Sequence, residues 1–110
     1  GSLVADARNV YYTESDGAIV ALDKSTGASL WRQEQLLHRG VSAPVVVGDW
    51  IVAGDFEGYV HILLRDDGSF VARLPTDGSA ILATPMEVQN RALVQTQAGG
   101  LYMIDLENRD

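Results

Sequence analysis

The sequence predicts an all-β chain made of four-stranded antiparallel units, and three observations predict it. Gly17, Gly58 and Gly99 recur at a spacing of 41 residues, and the same shift pairs Gly27 with Gly68, Arg32 with Arg73 and Pro44 with Pro85. Short apolar runs alternate with turn chemistry throughout, and no stretch carries a 3.6-residue period. Several runs, such as Ala18-Ile19-Val20-Ala21-Leu22 and Tyr59-Val60-His61-Ile62-Leu63-Leu64, are apolar on both faces. A sheet wetted on one side alternates; a sheet covered on both sides need not. Four-stranded units of about 40–45 residues, each sandwiched between neighbours, are the blades of a β-propeller. A single antiparallel sandwich or barrel would account for the strands but not for the repeat.

The elements follow in order. Residues 3–43 form the first unit, with turns near Ala7-Arg8, Asp16-Gly17 and Ser25-Thr26-Gly27. Gln33 to His38 is the best helical candidate, but it is short and opens on polar residues. Residues 44–84 form the second unit. There Val45-Val46-Val47 is a strand and Gly48-Asp49 a two-residue hairpin turn. Ile51 to Gly54 follows, then a turn at Phe56-Glu57-Gly58, a strand over Tyr59 to Leu64, a turn at Asp66-Asp67-Gly68, and a strand over Ser69 to Leu74. Residues 85–110 give three strands, near Met86-Glu87-Val88, Ala92 to Thr96 and Leu101 to Asp105, and no fourth. About two and a half blades are therefore expected, the last without its outer strand, and so a fragment of a ring that needs at least about four blades to close. Gly1 and Ser2 precede the repeat and read as a remnant of cloning.

Composition removes whole classes of function. At 46% hydrophobic and 21% charged residues the chain has the makings of a packed core. Eight basic against 15 acidic side chains give a net charge of -7, which speaks against a nucleic acid partner. Zero cysteine removes disulfides, thiolate metal sites and a cysteine nucleophile. No run reaches the roughly 18 apolar residues of a membrane-spanning helix.

Motifs for chemistry are absent. His61 sits mid-strand in a column with Val20 and Tyr102 and reads as a packed, hydrogen-bonded residue; His38 is the only other histidine, and metal sites want several ligands. Asp49, Asp55, Glu57, Asp66 and Asp67 show no calcium-loop spacing, and Asp66-Asp67-Gly68 fits turn chemistry. Ser69 and Ser79 stand in no nucleophile elbow, and no helix follows Gly99-Gly100 to make a phosphate loop. No catalytic residue, cofactor or metal is expected.

Exposed aromatics and loop charges are what remain, and they suit a binding surface. Phe56 shares a column with Ser15 and Gln97, so polar residues suffice there. Trp50 shares one with Asn9 and Arg91. His38 and Arg39 lie in the long connection between units. Because strands alternate in direction, Phe56 and Glu57 fall at the same end of the blade as His38 and Arg39, with Trp50 at the opposite end. The five form the candidate partner-binding set, with the first four as its centre.

A family resemblance goes further. Asp16-Gly17-Ala18-Ile19-Val20-Ala21-Leu22-Asp23, Ser25-Thr26-Gly27 and Trp31 resemble the quinoprotein-type propeller repeat. Leu36-Leu37-His38-Arg39, Ser42-Ala43-Pro44-Val45, Val52-Ala53-Gly54-Asp55-Phe56-Glu57-Gly58-Tyr59-Val60-His61 and Asp67-Gly68-Ser69-Phe70-Val71-Ala72 are similar to the last blades of the BamB family, lipoproteins of the bacterial barrel-assembly machinery. The resemblance implies an eight-bladed ring whose C-terminal blade is completed by an N-terminal strand. It implies a non-enzymatic scaffold at the periplasmic face of the outer membrane, held there by a lipid anchor outside this fragment. Its partners would be the periplasmic domains of the central barrel subunit and unfolded outer-membrane proteins. Family contact residues lie in loops of earlier blades, and only His38-Arg39-Gly40 offers a local analogue. The competing readings are a fragment of a quinone-dependent dehydrogenase and a ligand-sensing propeller domain. Open blade faces and strand edges lead us to expect that the isolated chain self-associates.

Overall fold

The computed structural model describes residues 3–107, so Gly1 and Ser2 lie outside the described residues. Eleven strands run through them and no helix forms. The first sheet contains β1 (Leu3–Ala5), β2 (Asn9–Thr13), β3 (Ile19–Asp23) and β4 (Ser29–Gln33). The second contains β5 (Val45–Val47), β6 (Trp50–Gly54), β7 (Val60–Leu64) and β8 (Phe70–Leu74). The third contains β9 (Met86–Val88), β10 (Arg91–Gln95) and β11 (Leu101–Asp105). Each sheet is an antiparallel meander in chain order, and the first strands β1, β5 and β9 lie beside one another. They form the inner edge of a fan of blades, with β4 and β8 on its outer rim. The fold expected from the sequence is the fold observed; Gln33 to His38 is the end of β4 followed by a turn, not a helix.

Local chemistry repeats with the period. The amide of Glu14 donates to the carbonyl of Ala18, Asp55 to Tyr59 and Thr96 to Gly100, at 2.8, 3.0 and 2.9 Å. Lys24 donates to Arg8 as Arg65 does to Asp49, both at 2.9 Å. Where Gly48-Asp49 turns one hairpin, Gln89-Asn90 turns the next, both residues with positive φ as a type I′ turn requires.

Two cores lie between the three sheets. Tyr11, Ile19 and Ala21 meet Ile51, Ala53 and Leu63 across the first gap, with Leu36 sealing one end. Val47, Val52, Val60 and Ile62 meet Ala92 and Val94 across the second, with Ile81. The middle sheet is thus covered on both faces, which is why Val60 to Leu64 hardly alternates. A clamp ties the outer rims. Trp31 on β4 lies against Gly68 of the next blade, its indole N–H donating to the carbonyl of Arg65 at 3.0 Å, while Gln33 donates to the carbonyl of Gly68 at 2.8 Å. A methyl group on Gly68 would sit 2.3 Å from the indole, and φ there is +73°. Packing and backbone both exclude a side chain at that position.

Candidate docking rim

At one end of the blades the β4–β5 connection crosses the β6–β7 turn. The amide of Phe56 donates to the carbonyl of Arg39 at 3.1 Å. Gly40 passes beneath the Phe56 ring, where a Cβ would come within 3.0–3.2 Å of it. Phe56 is nonetheless 64% exposed, because the ring lies along the backbone with its other face open. His38 is exposed and held in the left-handed region (φ +64°), with its amide on the carbonyl of Asp16 at 2.9 Å. Non-glycine residues pay about 1 kcal/mol or more for that conformation, so the connection is fixed by its surroundings.

Beneath the rim lies a charged cluster that sequence reasoning missed. Asp55 is fully buried. Its Oδ1 accepts from the amides of Glu57 at 2.8 Å and Tyr59 at 3.1 Å, closing the turn. Its Oδ2 faces His61 Nε2 at 2.6 Å and accepts from Arg39 Nε at 3.0 Å. Burial alone would raise the Asp55 carboxyl, but the bonds from His61, Tyr59, Arg39 and Glu57 together hold it below the ordinary carboxylate value. Burial lowers the His61 imidazole, and the opposing pull of Asp55 does not overcome it. His61 is therefore neutral near pH 7, with its proton on Nε2 facing the carboxylate. Its Nδ1 is buried with no partner. Arg39 also reaches Glu57 at 3.5 Å and lies over the Tyr59 ring, as does Arg73, at 5.6 and 5.5 Å.

His38, Arg39, Phe56 and Glu57 are thus brought together, and Trp50 is not. Trp50 sits at the far end of β6, packed against the second core, its indole N–H on the carbonyl of Glu107 at 2.9 Å. Glu57 also walls a cleft of about 250 Å³ lined further by Tyr59, Pro75, Thr76, Asp77 and Gly78. A polar cleft of about 270 Å³ at the Trp50 end is lined by Asp6, Asn9, Tyr11 and Arg65, whose side chains bond mainly to one another. Among the described residues no group of three His, Asp or Glu could hold a metal ion. The signal that could have found Asp55 was in the columns. Glu14, Asp55 and Thr96 share one, and only the middle unit adds a histidine and an arginine at the positions that reach it.

The family profile described as outer membrane protein assembly factor BamB matches residues 1–110. The chain belongs to the BamB family. Named BamB assembly factors resemble it closely: that of Burkholderia pseudomallei is 47% identical over 100 residues, 90% of this chain and 26% of the relative. The BamB of Kangiella koreensis is 40% identical, covering 94% of this chain and 26% of the relative. The chain therefore spans about a quarter of these relatives. The crystal structure of BamB from Moraxella catarrhalis superposes with a TM-score of 0.87 at 32% identity, over 96% of this chain and 31% of the other. The computationally designed Ika4 protein superposes at 0.79 with 16% identity, over 96% of this chain and 64% of its own, a likeness of fold alone.

Proposed function

We propose that the protein is a non-enzymatic scaffold subunit of the machinery that assembles β-barrel proteins in the bacterial outer membrane, and that this part of it docks through the rim around Phe56. The relatives named above are assembly factors, which supports the broader reading. The docking face rests on one observation: a two-thirds exposed phenylalanine pinned over Gly40, with Arg39 and Glu57 beside it and His38 on the same loop. An exposed aromatic on an ordered loop loses little entropy on binding and buries much apolar area, which makes it an anchor.

In the longer protein, the blades would sit at the periplasmic face of the outer membrane on a lipid anchor. The partner would be the periplasmic part of the central barrel subunit, with unfolded outer-membrane proteins presented nearby. The test is co-purification of the full-length protein with that subunit from bacterial envelopes. Phe56→Ser combined with Arg39→Ala should reduce recovery about tenfold, the effect of losing one anchor of about 1.4 kcal/mol. Recovery equal to wild type would remove this rim as the docking surface.

A further inference from the structure

The two ends of the stack are the halves of a contact that the molecule makes twice inside itself. On the third sheet, Leu93, Leu101 and Met103 face away from the second core, with Leu101 66% and Met103 43% exposed. The period places them with Tyr11, Ile19 and Ala21 of the first blade and with Val52, Val60 and Ile62 of the second, all six of them buried. On the first sheet, the face turned away from the first core carries Val10, Tyr12 and Leu22, each partly exposed. Their counterparts are Ile51, Ala53 and Leu63, and then Ala92, Val94 and Ile104, which belong to the two cores. The outer rim repeats the contrast. The indole of Trp31 lies against Gly68, while Gly27, with the same left-handed backbone, has nothing within 4 Å. Charge agrees with it. Arg65 of the second blade reaches back to Asp6 of the first at 3.7 Å. By the period Lys24 holds the Arg65 position in the first blade, and Asp105 stands exposed at the same end of the third.

We propose that the 110-residue chain binds a second copy of itself head to tail, the β9–β11 sheet of one copy stacking on the β1–β4 sheet of the next in the register of the two internal contacts. The occupant follows from the repeat. Each end face is made of the columns that the other blades bury, and the sheet that those columns pack against inside the molecule has its equivalent at the other end of a second copy. The contact joins two different faces, so it is heterologous, and every copy brings one face of each kind. Pairing of like faces fits less well. Two third sheets would set Leu101 and Met103 against their own counterparts and bring one Asp105 near another, a contact with no precedent between the three sheets. The head-to-tail contact instead brings Lys24 to the end where Asp105 stands, and it buries apolar side chains that water now covers.

The test uses the 110-residue chain in sedimentation velocity over a range of concentrations. Val10→Lys with Leu22→Lys closes the face of the first sheet, and Leu101→Lys with Met103→Lys closes that of the third. Each double variant alone should sediment as a single copy where wild type associates. Their equimolar mixture should form a one-to-one pair and nothing larger, because one intact face of each kind is left to meet. Self-association of either variant on its own would show pairing of like faces and overturn the proposal, as would a mixture that stays as single copies. A wild type that is monomeric up to its solubility limit would also overturn it, and would leave both faces to blades of a longer chain. Should Val10→Lys with Leu22→Lys lose its fold by circular dichroism, Leu3→Lys with Ala5→Lys replaces it. Both are exposed and lie on the same face, since Val4 between them packs on the first core. The expected and contradicting results are unchanged.

Discussion

At the scale of single residues, Asp55 and Gly68 carry the most consequence. Removing the Asp55 carboxylate strands Arg39, His61 and two amides at once. Asp55→Ala should cost about 3–5 kcal/mol, as for breaking a buried ion pair, read from chemical denaturation. Acid should act in the same direction. The folded pKa of Asp55 is lowered, so its contribution is complete above pH 3.8 and is lost as pH falls through the folded value. The folded pKa of His61 is also lowered, so its contribution is complete above pH 6.5 and declines as pH falls toward the folded value. Denaturation midpoints should therefore fall from pH 7.5 to pH 5, and again toward pH 3. Gly68 gives a paired comparison. Gly68→Ala should lose about 2–4 kcal/mol through backbone strain plus overlap with Trp31, whereas Gly27→Ala, with φ +75° and nothing within 4 Å, should lose only about 1–2 kcal/mol. Equal losses would mean that Trp31 does not clamp the blades. Such residue detail was only partly legible beforehand. Phe56 could be read because polar residues occupy its column, and Trp31 was visible as part of the repeat pattern, though not the carbonyl it would reach. Asp55 was obscured by other acidic residues, since burial and partners come from loops far apart in sequence.

At the scale of elements, the strands were readable almost to the residue, because turn chemistry and doubly apolar runs mark them independently. The hairpin at Gln89-Asn90 shows the limit: Asn90 is a type that tolerates positive φ, but Gln89 takes it because the strand twist on either side requires a type I′ turn, not because its type favours it. Faces were less legible than strands. The sheet containing β9–β11 covers its inner face with Ala92, Val94, Tyr102 and Ile104 and leaves Leu101 and Met103 open on the other. By the period, Leu93 stands where Tyr11 and Val52 meet the next sheet. That open face is therefore built to receive a blade. The 110-residue chain is expected to associate with itself through this face; Met103→Lys with Leu101→Lys should then reduce that association while keeping stability within about 0.5 kcal/mol, since both side chains are exposed. Analytical ultracentrifugation reads the first effect and denaturant titration the second.

At the scale of the whole molecule, stacked blades make the rim a composite. One connection from the first blade and one turn from the second meet only because the sheets pack face to face, so loss of the core between them should weaken the proposed docking at least as much as loss of Phe56. Strand alternation put the two segments at one end of the blade; their crossing, and the charge cluster under it that is specific to one unit, lay hidden from the period. Amide hydrogen exchange on the full-length protein, with and without the central subunit, tests the docking rim most directly. The account predicts slower exchange on binding at residues 38–41 and 56–59, and no change at the opposite end around residues 48–50 and 65–68. Protection confined to that opposite end, or none in either region, would contradict it.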